Sequence, residues 1–252
     1  MDSITEKFSV FDYFNLLIGG MVFLFGLGLC GYPETKSILL NISNMISGST
    51  FLLIIAMILF VCLSFVVGTV INEIGNWIFK GWLKWEQNLV KKCLISENVV
   101  GNNSKLKSYR KKAFKFLSSQ VPDFDKEYKG EVYTEDHCAY FFAYCSYYIQ
   151  IHKLDKKAER LREVQGLSML LACAFALVPF ANLIFSKMLG KFNIYYGINP
   201  IVICVCFFFA GVFARKHYCD IMNRVRMVLA VYDACIATEN AEHLTTQTVK
   251  GD

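Results

Sequence analysis

The chain has 252 residues, of which 55% are hydrophobic and 15% aromatic, with a formal net charge of +5. That length fits one or two domains, but the apolar share is too high for most soluble folds. Four buried apolar helices in a soluble protein would need a polar shell that so short a chain lacks.

Four uncharged runs set the expected class. Tyr13–Pro33 lies between Asp12 and Glu34, and a second run lasts from Phe51 to Asn72, before Glu73. Val164–Ser186 and Phe192–Ala214 are the third and fourth. Each is long enough to cross a bilayer, which takes roughly 20 helical residues, and lipid forces backbone polar groups to pair within such a helix. The region from Lys80 to Glu163 holds 17 of the 26 lysines and arginines, while the connections at the opposite ends hold Lys36, Lys187 and Lys191. Cationic loops stay on the cytoplasmic side, so both termini and the long central region are expected there. The expected fold class is an all-α integral membrane protein of the cell (inner or plasma) membrane, multi-pass, with four transmembrane helices, three of them extended into a cytoplasmic helical bundle. Its divisions are residues 1–12, a cytoplasmic lead-in; 13–80, a first transmembrane hairpin with an outer interfacial helix; 81–163, a cytoplasmic helical domain; 164–214, a second transmembrane hairpin; and 215–252, a cytoplasmic helix ending in a disordered tail.

Residues 1–12 are polar and mixed in charge, and no small-residue cleavage pattern follows the first run, which reads as a retained span. Phe8, Phe11 and Phe14 suit the headgroup level. The first span carries Gly19, Gly20, Gly26, Gly28 and Gly31, and small residues let helices approach closely in lipid, so packing against a neighbour is expected. The stretch 35–47 sorts apolar and polar residues to opposite faces, the pattern of a short helix in the outer interface. Its Asn41-Ile42-Ser43 matches a glycosylation sequon, a motif that carries little weight alone.

In the second span, Ser64, Gly68, Asn72 and Gly75/Asn76 form a stripe at helical spacing, with Glu73 beside it. Polar groups at bilayer depth are costly and face protein or water. Asn72, Glu73 and Asn76 are therefore the candidate polar packing or pore-lining cluster, against the plainer reading of Glu73 as an interfacial carboxylate. Trp77, Trp82 and Trp85, the three tryptophans, mark an aromatic belt at the cytoplasmic interface. The helix is expected to run on through Ile95.

Residues 101–104 form a break, and the next stretch, KLKSYRKKAFKFLSS, sets Leu106, Tyr109, Ala113, Phe116 and Leu117 among six basic residues. Such a helix can lie on anionic lipid, bind a partner or be solvated on one side. Lys111, Lys112 and Lys115 are the candidate lipid or partner contacts. Direct nucleic-acid binding is disfavoured, because no recognition motif accompanies the charge. After an acidic connector with Pro122 and Gly130, Thr134 is placed to cap a helix with Glu135 and Asp136 in its first turn. With neither proline nor glycine from Thr134 to Glu163, one helix is expected to run into the third span. Its Tyr140, Phe141, Phe142, Tyr144, Tyr147, Tyr148 and Ile151 would have to be covered by other helices or by another copy.

Pro179 sits inside the third span, where it removes a backbone donor and should kink the helix or free a carbonyl near Phe175. The fourth span begins near Pro200 and continues as an amphipathic helix through Ile236, in which Asp220 and Arg224 stand at the spacing of an intrahelical ion pair. Residues 239–252 are expected to be disordered.

The ten cysteines contain no CxxC pair, so they are read as free thiols in a reducing compartment rather than as a disulfide or zinc framework. The four histidines are scattered, and His217 reads as a surface histidine. No HExxH, GxSxG or phosphate-binding loop occurs. The expectation is a protein that is not an enzyme, with no cofactor, no metal and no catalytic residue. A lipid-modifying membrane enzyme, the remaining enzymatic alternative, would need a polar cavity near the inner leaflet.

In layout the chain resembles the small four-span membrane proteins found beside bacterial anti-phage systems, including accessory proteins of Cas13b-type CRISPR loci. The features are the stretch GTVINEIGNWIF, the aromatic-to-basic AYFFAYCSYYIQIHKLDKKAERLREVQGL entering the third span, and the paired cytoplasmic extensions. The resemblance implies a membrane effector or regulator in antiviral defence that oligomerises and perturbs the membrane on a cytoplasmic trigger. It transfers no site residue. The partners then expected are the lipid bilayer, further copies of the chain, and a cytoplasmic protein or nucleic-acid-guided complex. From a different class, the chain reads as a membrane-anchored scaffold recruiting a soluble partner through its aromatic helix.

Overall fold

A computed structural model describes residues 10–29, 41, 44, 49–94, 104–120, 134–188 and 200–249, and no strand occurs among them. The helices are α1 (Val10–Leu29), α2 (Thr50–Asn76), α3 (Trp85–Leu94), α4 (Ser104–Gln120), α5 (Glu135–Ile151), α6 (Lys156–Met188) and α7 (Pro200–Val249), with a π-helical turn over Trp77–Trp82 following α2. Four helical stretches are long and apolar enough to cross a membrane: Val10–Gly28, Thr50–Leu94, Lys156–Ile184 and Ile201–Thr238. Except for Asn41 and Asn44, which are helical, the interfacial helix expected over 35–47 lies outside the described residues, as does the connector over 121–133.

The chain divides into two compact units. The first comprises Met1–Leu83 and Glu163–Tyr218, and the second Lys84–Arg162 and Cys219–Asp252. The chain therefore passes between them three times.

In the first unit, glycines set the helix spacing. A Cβ added to Gly20 would overlap the Ser64 carbonyl oxygen of α2, and one added to Gly68 would overlap the Leu16 carbonyl oxygen of α1. Backbone meets backbone from both sides, a separation only glycine permits. Ser64, fully buried, turns its hydroxyl back to the Phe60 carbonyl at 2.7 Å and so adds no unsatisfied donor to the contact. Gly19 and Gly26 receive α6: a Cβ at Gly19 would strike Leu170, and one at Gly26 would come within 2.7 Å of Val178. Gly75 does the same for α2, with Cys173 Sγ 3.1 Å from its virtual Cβ. Gly28 faces open space. On its other side α6 meets α7, where Val178 packs with Cys206 and Phe175 stacks on Phe209 and Phe213 at 5.3 and 5.8 Å. Helix α6 continues through Pro179 to Met188.

The second unit has its own apolar core. Leu89, Val90, Cys93 and Leu94 of α3, Tyr109, Ala113 and Leu117 of α4, and Phe141, Cys145 and Ile149 of α5 are all buried. So are Val225, Val228, Leu229 and Tyr232 of α7. Tyr232 is met edge-on by Phe141, Tyr144 and Tyr148. Offset and edge-to-face ring pairs of this kind contribute ~1 kcal/mol each beyond the area they bury.

Three expectations about continuity are corrected. The helix leaving the second apolar run does not run on unbroken. The Leu83 N–H reaches back to the Ile78 carbonyl at 2.8 Å, closing the π turn, and Lys84 takes φ 46° before α3 begins. The aromatic helix likewise ends at Ile151 instead of entering α6. There the Leu154 N–H bonds the Ile149 carbonyl at 2.9 Å, the Lys153 N–H bonds the Gln150 carbonyl at 3.0 Å, and Lys153 has φ 56°. This is the paired termination that usually holds glycine at the left-handed position, here built on lysine. At the other end of the chain, α7 continues as helix to Val249, through residues expected to be disordered; no proline or glycine interrupts them before Gly251.

Gly68→Ala is expected to destabilise the first unit by about 1–3 kcal/mol, because its methyl group must displace the backbone of α1. Gly28→Ala is expected to stay within about 0.5 kcal/mol. Unfolding midpoints of the two variants in one detergent check the contrast.

Candidate functional site

The buried stripe of α2 is Ser64, Gly68, Ile71 and Gly75. Of the predicted polar cluster, Asn72 and Asn76 flank that stripe half-buried, and Glu73 is exposed on the helix surface. The three residues thus occupy an edge and an outer face of α2, away from the glycine contact. Trp77 and Trp82, just beyond, are largely exposed.

The structure brings together a polar group that sequence reasoning passed over. His217 of α7, expected at the surface, is 3% exposed. Its Nδ1 donates to the Gln165 carbonyl at 3.0 Å, and the same carbonyl accepts from Ser168 Oγ at 3.0 Å. Phe79 of the π turn sets its ring edge against the imidazole at 4.9 Å. Asn15 of α1 donates through Nδ2 to the Glu163 carbonyl at 3.2 Å. Two helices are thereby hydrogen-bonded to the first turns of the apolar part of α6, α1 through Asn15 and α7 through His217. In sequence these residues are single, far apart and without mutual spacing. The one available signal was polar type at the margin of an apolar run, and Asn15 and Gln165 both carry it.

The second unit separates the three predicted lysines. Lys112 is half-buried and pairs with Asp233 of α7, bonding its backbone carbonyl at 3.2 Å as well. Ser108 donates to the same carboxylate at 3.2 Å. Arg224, one helix turn beyond Asp220, reaches Glu86 of α3, and Asp220 itself is 2% exposed. The two ion pairs tie α7 to α4 and to α3. Lys111 and Lys115 are instead exposed, and Lys107 joins them on the same face. Thr134 caps α5 as expected, its hydroxyl accepting from the His137 N–H at 3.2 Å.

The aromatic helix is only partly covered. Phe141 and Phe142 are buried and Tyr148 half-buried, whereas Tyr147 is 67% and Ile151 65% exposed. Cys62, Cys93, Cys138, Cys145, Cys173, Cys204, Cys206, Cys219 and Cys235 are all free thiols, and among the described residues no group of three His, Cys, Asp or Glu could hold a metal ion. Burial pushes the Cys145 thiol far above its ordinary range. Burial also raises Cys93, with Arg226 and Lys92 pulling back against it.

No known protein family matches this chain, and no curated protein or solved structure matches it.

Two outcomes follow from these contacts. Asp233→Ala is expected to cost about 1–2 kcal/mol, since it removes the carboxylate shared by Lys112 and Ser108. Lys111→Ala should stay within about 0.5 kcal/mol; denaturant unfolding of the two variants compares them. The second concerns alkaline pH. A thiol whose pKa is raised by folding keeps its proton in the native state while the unfolded chain loses it above the usual 9.0. The native state then holds more protons, so stability falls as pH rises beyond about 9. Thermal midpoints between about pH 7 and pH 10.5 should decline over the upper part of that range, and Cys145→Ala should flatten the decline.

Proposed function

We propose that this protein is a non-enzymatic integral membrane effector or regulator, its four apolar helices crossing the cell membrane with both termini cytoplasmic. On this reading the second unit is a cytoplasmic sensor, and the first unit acts in an assembly of several copies by opening a pore or perturbing the bilayer. The resemblance in layout to membrane proteins of bacterial anti-phage systems gives the setting.

One observation carries the reading: two units with separate cores share three chain crossings, at Leu83/Lys84, Arg162/Glu163 and Tyr218/Cys219. A change of state in the second unit has three covalent routes to the first. A tethered adaptor needs only one. The first unit meanwhile draws its helices together on glycines, which supports a water-filled path between copies rather than within one, lined on this reading by the edge of α2 bearing Asn72, Glu73 and Asn76. A second reading rests on a different observation. The exposed Tyr147 and Ile151 on α5 suit a scaffold that recruits a soluble partner and never conducts.

Light scattering of the detergent-solubilised protein, with the detergent contribution subtracted, is expected to give one discrete oligomer of about four or more copies, since a single four-span copy encloses little. Reconstituted vesicles should then leak a small dye, and an Asn72/Glu73/Asn76 triple alanine variant should leak less. A monomer or dimer with no leakage favours the scaffold. Leakage equal in both proteins removes the three residues from the path while leaving the effector reading in place.

A further inference from the structure

Helix α4 carries Lys107, Lys111 and Lys115 at successive spacings of four, all exposed. The opposite face, Tyr109, Ala113 and Leu117, is buried in the second unit. Like charges four residues apart on a helix repel and weaken it. Elsewhere in the same unit Lys112 has Asp233 and Arg224 has Glu86, whereas Lys92, Lys153, Lys156 and Lys157 are exposed but not aligned in such a row on one helix face. Among the described residues no carboxylate pairs with Lys107, Lys111 or Lys115. A straight row of three cations is thus held on a face that packing does not need, at a local cost in helix stability.

We propose that this row is a docking surface for anionic lipid headgroups, which it touches without inserting. The proposal rests on the membrane reading above and names a partner for the second unit. Its chemistry is the lysine ammonium, a compact point charge suited to a surface of phosphates with no fixed geometry. The exposed row has neither the aromatic platform nor the forked guanidinium fork-to-base contacts that nucleic-acid recognition uses. It also lacks the exposed apolar residues that would drive the helix into the acyl region. Proximity favours lipid over soluble polyanions. With three crossings joining the second unit to the apolar helices, a bilayer holding those helices stays at high effective concentration around the row.

Lysine footprinting tests this on the full-length protein in nanodiscs. A water-soluble acetylating reagent is applied in neutral phosphatidylcholine and in discs with about 30 mol% phosphatidylglycerol, and rates are read by mass spectrometry. With anionic lipid, Lys107, Lys111 and Lys115 should react about threefold more slowly, while exposed Lys92 on α3 and paired Lys112 do not change. About 1 M salt should restore the rates, since charge is then screened within roughly 3 Å. Equal rates in both lipids would overturn the proposal and leave the row a solvated face. Slowing that ignores lipid charge but follows protein concentration would overturn it in favour of a second copy. Slowing only on addition of an oligonucleotide would overturn it in favour of nucleic acid. The triple variant K107Q/K111Q/K115Q, far from every core contact, should fold and lose the lipid dependence of hydrogen exchange along α4. Oligomer mass and leakage are measured separately, so failure here and failure of the effector reading are distinct results.

Discussion

The contact between Gly20 and Gly68 is the constraint on which the first unit depends. Where both helices present a glycine to the other's backbone, their axes come closer than any side chain allows. The remaining contacts are then set by where α1 and α2 lie. Leu170 fills the space over Gly19, Val178 the space beside Gly26, and Cys173 the space over Gly75. One helix, α6, thus reads both members of the pair, and α7 joins through Phe175 and Val178. On the membrane reading proposed above, such packing has no hydrophobic driving force, because acyl chains are as apolar as leucine. Close van der Waals fit and a few hydrogen bonds must hold the helices. The Asn15 and His217 bonds belong to that second class, and both end on backbone carbonyls of α6.

The second unit is held by different physics. Its core is aromatic and aliphatic in the manner of a water-soluble domain, and its ion pairs sit at half-exposed edges where each contributes modestly. Their value lies in choice of neighbour. Asp233 collects Lys112 and Ser108 from α4, and Arg224 collects Glu86 from α3, so the register of α7 against both helices is specified at two points. Buried thiols fill the core between them. Cys145 and Cys93 sit there as small apolar residues that keep their protons.

Much of this was legible in the sequence. Charge-free length identified all four apolar helices, and the glycines of the first run pointed to close packing. The cap at Thr134 followed from residue type alone. What escaped notice had specific causes. Helix ends were sought at glycine and proline, but the breaks at Lys84 and Lys153 use left-handed lysines, whose cost is met by the hydrogen bonds of the termination itself. The polar stripe of α2 was drawn through Asn72 and Asn76 because they are polar; the buried face instead follows Ile71, and the asparagines fall at its edge. His217 was read as a surface histidine on a helix, while helical rotation turns it inward, toward Gln165. For His217 the partner is a backbone carbonyl of another helix, which local spacing does not encode.

The same distinction separates the lysines of α4. By composition Lys111, Lys112 and Lys115 are equivalent members of one basic run, and Lys107 stands outside it. A helix turns 100° per residue, so Lys112 is carried round to the side of α7 and acquires a carboxylate there, while Lys107, Lys111 and Lys115 stay in line on the open side. Pairing Lys112 consumes its charge in holding the unit together. The three that remain add nothing to the core beneath them and repel one another along the helix. On the proposal above, anionic headgroups outside the unit compensate that repulsion. For a chain with four helices long and apolar enough to cross a membrane, such headgroups are the polyanion which that proposal names.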